Sequence, residues 1–186
     1  MQRRLAVVAL IAVAAGSLLA APAQGGTGRH CAYRLVTAVR HGSVNVTRPE
    51  LIGCYRTFSR SVSAATGGAV RVRDTMTPQE LTNADLQDDV TASLVLIGIE
   101  YFGTGYGGSS ASYSDTATCS ANNIVETNYV GDALNDVFSS GKGFGGCDHN
   151  KKFAAADFGG DVLTCTPNCS NYGSLSNQVS SLRWRP

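Results

Sequence analysis

Three kinds of hydrophobic pattern follow one another along the chain. Residues 5–15 form an unbroken apolar run behind Arg3 and Arg4, and Ala21, Pro22 and Ala23 follow it with small side chains. A run this short cannot cross a bilayer, which takes about 20 apolar residues. Basic flank, apolar stretch and small-residue site together read as a cleaved export signal over residues 1–23. Residues 24–95 then mix two periods. Alternation over 33–39 and over 51–55 predicts two strands. Phe58, Val62 and Ala65 recur at helical spacing, and Gly67-Gly68 follows as a helix stop. Val70, Arg71, Val72 and Arg73 alternate again as a strand, and Thr77-Pro78-Gln79-Glu80 is a capping box that opens a short helix through Leu81. These elements make a small α+β module. Beyond residue 95 the helical period is gone. Short alternating runs broken by glycine, Ser, Thr and Asn predict an all-β domain over 96–186, a sandwich or barrel.

Cysteine usage fits the export signal. All six cysteines (Cys31, Cys54, Cys119, Cys147, Cys165, Cys169) lie beyond residue 23, and an even number in an exported chain reads as a disulfide framework. Six allow fifteen pairings. Order and proximity favour Cys31 with Cys54, Cys119 with Cys147 and Cys165 with Cys169. The Cys165–Cys169 spacing would also suit half a zinc site, but no second close pair of ligands completes it. Losing Arg3 and Arg4 from fifteen basic residues leaves thirteen against fourteen acidic ones. That balance lacks the basic footprint of a nucleic-acid binder. No Gly-x-Ser-x-Gly elbow or His-Glu-x-x-His helix is present, so no catalytic residues are assigned and no enzyme is expected.

An internal repeat carries the sharper information. Tyr101, Tyr106 and Gly108 recur as Phe153, Phe158 and Gly160 at a shift of 52. A tight hairpin needs glycine where the backbone turns through positive φ or another strand crosses closely, and the aromatic at its base can cover that glycine. Each repeat also ends alike. Asn135-Asp136-x-x-Ser139-Ser140 matches Ser176-Asn177-x-x-Ser180-Ser181 at a shift of 41, so the first repeat holds 11 extra residues, around Cys119 and Asn122-Asn123. Aromatic-x6-Gly followed by Asn/Asp-Asn/Asp-x-x-Ser/Thr-Ser resembles the signature of the βγ-crystallins, here over residues 96–186. The resemblance implies two four-stranded Greek keys packed as a sandwich. It also points to the secreted actinobacterial members, among them metalloprotease inhibitors.

Many microbial members of that family bind calcium, and the resemblance carries the ligand set to Asn135, Asp136 and Ser139 in the first stretch and Ser176, Asn177 and Ser180 in the second. In the family the Asn/Asp–Ser stretch of one repeat meets the hairpin loop of the other. Hard cations want several oxygens, yet Ser176 stands where Asn or Asp is usual, and Phe102-Gly103 and Ala154-Ala155 stand where the hairpins often carry acids. Low affinity follows. Asn, Asp and Ser at such turns also serve as structural caps with no metal. The resulting expectation is a secreted, monomeric, disulfide-stabilised structural or binding protein with weak calcium binding and no nucleic-acid or membrane partner. The alternative is an inhibitor whose partner is a secreted protease. Its candidate loop is Lys142, Gly143 and Phe144, with Phe144 as an apolar anchor tethered by Cys147.

Overall fold

The computed structural model describes residues 28–39, 45–86 and 93–186; the expected export signal at 1–23 lies outside the described residues. Past residue 95 the glycine-broken alternation forms the predicted short strands. They are β3 (Val95–Tyr101), β4 (Ser110–Asp115), β5 (Val125–Thr127), β6 (Ser140–Gly143), β7 (His149–Phe153), β8 (Val162–Cys165) and β9 (Ser181–Arg185). Two hairpins, β3–β4 and β7–β8, are each joined by a returning strand, β6 beside β3 and β9 beside β7. The third strand of each repeat leaves for the opposite sheet. β5 pairs with β9, and the Cys169 segment bridges to Gly141 in β6. The result is two Greek keys that exchange a strand.

The N-terminal segment, read from the sequence as a small α+β module, extends the first sheet. β1 (His30–Val39) and β2 (Asn45–Tyr55) form an antiparallel hairpin, and β1 lies parallel to β4. One sheet therefore runs β2-β1-β4-β3-β6 and the other β5-β9-β7-β8. Helix α1 (Phe58–Ala65) buries Phe58, Val62 and Ala65 against the outer face of the first sheet. Burying the Phe58 and Val62 side chains is worth about 1.5–3 kcal/mol each. Thr66 and two glycines end the helix. Gly67 and Gly68 take φ of 65° and 87°, and the Gly68 amide donates to the Ser63 carbonyl at 2.7 Å, as a left-handed helix stop requires. The described residues ahead of β3 thus share one core with the Greek keys. Leu96, Ile99, Tyr101 and Phe144 pack with Ala32, Val62, Val70 and Leu81.

Two local expectations in this segment fail. Residues 70–73 are not a strand. Their alternation buries Val70 beside α1, but β1 already occupies the free edge of β4, and an alternating run without an edge to join stays irregular. The capping box does form in part, with Glu80 Oε2 accepting from the Thr77 amide at 2.8 Å and from its hydroxyl at 2.9 Å. No α-helix follows. Lys142 Nζ instead takes the carbonyls of Gln79 and Leu81, at 2.8 and 3.0 Å, and these are the acceptors that helical amides would use. Thr82 and Asp85 then repeat the same start signal, ahead of a single 3-10 turn at Asn83–Leu86.

Between the sheets lies a second core built on Ile97, Tyr113, Val125, Phe138, Leu182 and Trp184. All three disulfides join the cysteines that order and proximity favour: Cys31–Cys54 across the β1–β2 hairpin, Cys119–Cys147, and Cys165–Cys169. Gly98 of β3 faces the Trp184 indole, and a Cβ there would overlap the ring nitrogen. Overpacking of this kind costs about 1–3 kcal/mol. Gly98→Ala should therefore lower the melting temperature clearly, while Ser120→Ala in an exposed turn should not. Equal melting curves for the two variants would refute this account of the core.

Candidate functional site

The paired hairpins are built alike to a fine level. Gly108 and Gly160 take φ of 76° and 72°. A Cβ on Gly160 would sit 3.2 Å from the Ala154 Cβ and 3.3 Å from the Ala155 amide nitrogen. The base aromatics stack edge-on across each hairpin, Tyr101 on Tyr106 at 5.6 Å and Phe153 on Phe158 at 5.5 Å. A cation lies over each outer ring, Lys142 Nζ at 4.7 Å from Tyr106 and Arg183 at 4.1 Å from Phe158. Each hairpin tip docks on the opposite repeat. The Gly105 amide donates to the Ser170 carbonyl at 2.6 Å, and the Asp157 amide to the Asn128 carbonyl at 2.8 Å.

The last serine of each stretch closes its own hairpin. Ser140 Oγ donates to the Gly103 carbonyl at 2.6 Å and accepts from the Tyr106 amide at 3.0 Å. Ser181 Oγ does the same with the Ala155 carbonyl at 2.7 Å and the Phe158 amide at 3.1 Å. The serine one place earlier also stays on its own hairpin. The Ser139 amide donates to Tyr101, the Ser180 amide to Phe153, and Ser180 Oγ to the Ala154 carbonyl at 3.1 Å.

The Asn/Asp half of each stretch crosses to the other repeat. The Asn177 amide donates to the Phe138 carbonyl at 2.8 Å and the Asp136 amide to the Val179 carbonyl at 3.2 Å. Ser139 Oγ thereby meets Asn177 Oδ1 at 3.2 Å. Asp136 and Asn177 both sit in the left-handed region, with φ of 59° and 58°, where Asn and Asp are tolerated best after glycine. The six ligand candidates are thus divided between two places. Ser139 and Asn177 come together at the first hairpin. Ser180 lies on the second hairpin, and Asp136 pairs with the residue before it. Asn135 Nδ2 is bonded to Asp136 Oδ2 at 2.7 Å, while Ser176 Oγ turns away to Asn171 Oδ1 at 3.3 Å. The second hairpin brings in one residue outside the sequence candidates. Asn128 Nδ2 donates to Oδ1 of Asp157 at the hairpin tip, at 2.7 Å, and Asp157 is the acid that the repeat places opposite Gly105.

Among the described residues no three or more His, Cys, Asp and Glu gather into one metal-binding group. A cation here would rest on amide, hydroxyl and carbonyl oxygens with one nearby carboxylate. Buried acceptors without a partner exist for it, Asn135 Oδ1 and Asn128 Oδ1.

The candidate inhibitory loop is corrected by its surroundings. Lys142 and Gly143 are the end of strand β6, and Phe144 is 2% exposed within the core under α1. A side chain packed there cannot enter a protease cleft. Its glycines have another role, since a Cβ on Gly141 or Gly143 would collide with Tyr172 or Asn150 from across the sandwich.

Two Greek keys with exchanged third strands, each hairpin closed by the serine of an Asn/Asp–Ser stretch, define a double Greek-key sandwich with internal two-fold symmetry. Residues 95–185 carry the βγ-crystallin fold. Solved structures similar to this chain are βγ-crystallin domains. An archaeal one is 24% identical with a TM-score of 0.36, and the match covers 48% of this chain and 98% of that one. One from Ciona intestinalis is 19% identical with a TM-score of 0.35, covering 47% and 98%. The N-terminal domain of protein S is 22% identical with a TM-score of 0.35, covering 47% and 93%. Neither a protein-family model nor a curated protein matches the chain.

Replacing Ser140 or Ser181 by Ala strands a backbone amide and a carbonyl, each left without its partner at about 1–3 kcal/mol. Both variants should melt well below wild type, and Ser176→Ala, on an exposed contact, should not. Gly160→Ala, strained in φ and crowded at once, should also be destabilised. A Gly160→Ala protein with the wild-type melting temperature would remove the hairpin argument.

Proposed function

We propose that the chain is an exported, monomeric structural module of βγ-crystallin fold that is tuned by weak calcium binding. The observation that carries this reading is the crossing of the two stretches, which puts the oxygens of one repeat beside the hairpin serine of the other. Ser139 Oγ with Asn177 Oδ1 is the clearest instance. Calcium accepts six to eight oxygens of mixed kind at 2.3–2.6 Å, so carbonyl, hydroxyl and amide groups suit it. The second place has the better charge, since Asp157 lies at that hairpin and the Asp136 backbone bonds Val179 beside Ser180. Few carboxylates mean low affinity. Export is supported by three disulfides with no free cysteine, a pattern of oxidising compartments.

A ligand that binds only the folded state raises stability by RT ln(1 + [L]/Kd). A millimolar site at millimolar calcium therefore gains about 0.4 kcal/mol, and a site a hundredfold tighter about 2.7 kcal/mol. Melting curves in EDTA and then in excess calcium should show a small upward shift. Asp136→Ala should remove most of it and Asn177→Ala a smaller part. No shift in the wild-type protein would reduce both stretches to structural caps. N-terminal sequencing of protein from the culture medium should begin near residue 24, and a chain that begins at Met1 would refute export by this signal.

A further inference from the structure

The interior of the sandwich holds a charged pair that no part of the calcium reading uses. Glu100 of β3 and Lys152 of β7 come from opposite sheets, with side chains 0% and 1% exposed. Lys152 Nζ bonds Glu100 Oε1, and the Tyr172 hydroxyl bonds Glu100 Oε2. The aromatic rings of Trp184 and Tyr172 wall the amine at 5.6 and 5.7 Å. Gly141 leaves the room, since a Cβ there would strike both Tyr172 and the carboxylate.

An ammonium has three protons to donate, and Glu100 Oε1 is the acceptor that the structure provides here. Lys142 makes the contrast. Its Nζ, also buried, bonds two backbone carbonyls in place of an acid, so no carboxylate touches it to receive its proton. Around Lys152, burial disfavours the charged form and pulls the amine's proton affinity down, against the pull of Glu100. Moving that proton onto Glu100 yields a neutral amine touching a neutral carboxylic acid. These are the reactants of an amide condensation. In water both groups ionise and the solvent drives hydrolysis. A dry interior removes both obstacles, and holding two groups in contact is worth an effective concentration of about 10⁵ M or more.

We propose that Lys152 and Glu100 condense into an intramolecular isopeptide bond that joins the two sheets. The Nζ lone pair attacks Glu100 Cδ, and the Tyr172 hydroxyl steadies the charge that develops on the carbonyl oxygen. The amine's proton passes to the departing hydroxyl, the Cδ–OH bond breaks, and one water leaves as the Nζ–Cδ bond forms. Nothing is oxidised or reduced, and no co-reactant is needed. The product replaces a buried pair of charges by one neutral amide, whose carbonyl keeps the Tyr172 hydrogen bond.

Intact mass of the purified full chain, reduced and denatured, tests this directly. The wild-type protein should be lighter by one water than the sequence running from its own N-terminus. Trypsin should release a branched peptide joining residues 74–142 to residues 152–183, uncut after Lys152; no other Lys or Arg interrupts either piece. Lys152→Met should show the full mass and two separate peptides. A wild-type chain at its full sequence mass overturns the proposal, whatever the variant does. So does a loss of water that persists in Lys152→Met.

Discussion

The contact between Glu100 and Lys152 is the constraint around which the sandwich is arranged. A carboxylate from one sheet and an amine from the other meet where neither sees water, and such groups are tolerated only with close partners. Neighbouring residues can be read as consequences. Glycine at position 141 of β6 makes room for the pair and for the Tyr172 hydroxyl, and glycine at 98 accommodates the Trp184 indole. Tyr172 arrives on the crossing segment of the second repeat, which bridges to β6 through Cys169. Strand exchange, glycine placement and the polar centre therefore belong to one solution.

Symmetry explains the surface as the Glu100–Lys152 contact explains the interior. Each hairpin carries the same edge-on aromatic pair, the same serine closure and the same cation over the outer ring. Lys142 and Arg183 are equivalents in this scheme, which is why Lys142 is a packing residue. Where the repeats diverge, the divergence has a location. The first repeat receives β1 along its outer edge, while the second leaves β8 uncovered with Val162 exposed.

Much of this was legible in the residues. Two hairpins and two closing stretches were written as aromatic-x6-Gly and Asn/Asp–Ser, local patterns with local causes, and the disulfide pairs followed chain order. The N-terminal segment was harder. Residues 33–39 and 51–55 read as strands, but nothing in their alternation says that β1 would run parallel to β4, because parallel partners are distant in sequence and leave no turn between them. Glycine content also misled at Lys142, Gly143 and Phe144. A glycine-rich stretch looks like a loop until an opposing tyrosine and asparagine show what the missing side chains make room for. The ionic centre had one visible signal, a glutamate within the apolar run Val95–Tyr101. Its partner could not be read, since Lys152 belongs to the other repeat.

The parallel pairing of β1 with β4 bears on the order of assembly. His30 lies opposite Ser110, with its ring nitrogen 2.9 Å from the Ser110 hydroxyl across 80 residues of chain. Closing a loop of that length costs conformational entropy before any contact returns it, and distant pairings of this kind slow folding. The β1–β2 hairpin escapes that penalty, because its strands are neighbours in sequence and Cys31 faces Cys54 within it. During synthesis this hairpin is made first, yet its seat on β4 begins 55 residues after the hairpin ends at Tyr55. An early, cross-linked hairpin then waits with one edge unpaired, and the nascent chain carries its aggregation hazard at the front until the first Greek key closes beneath it.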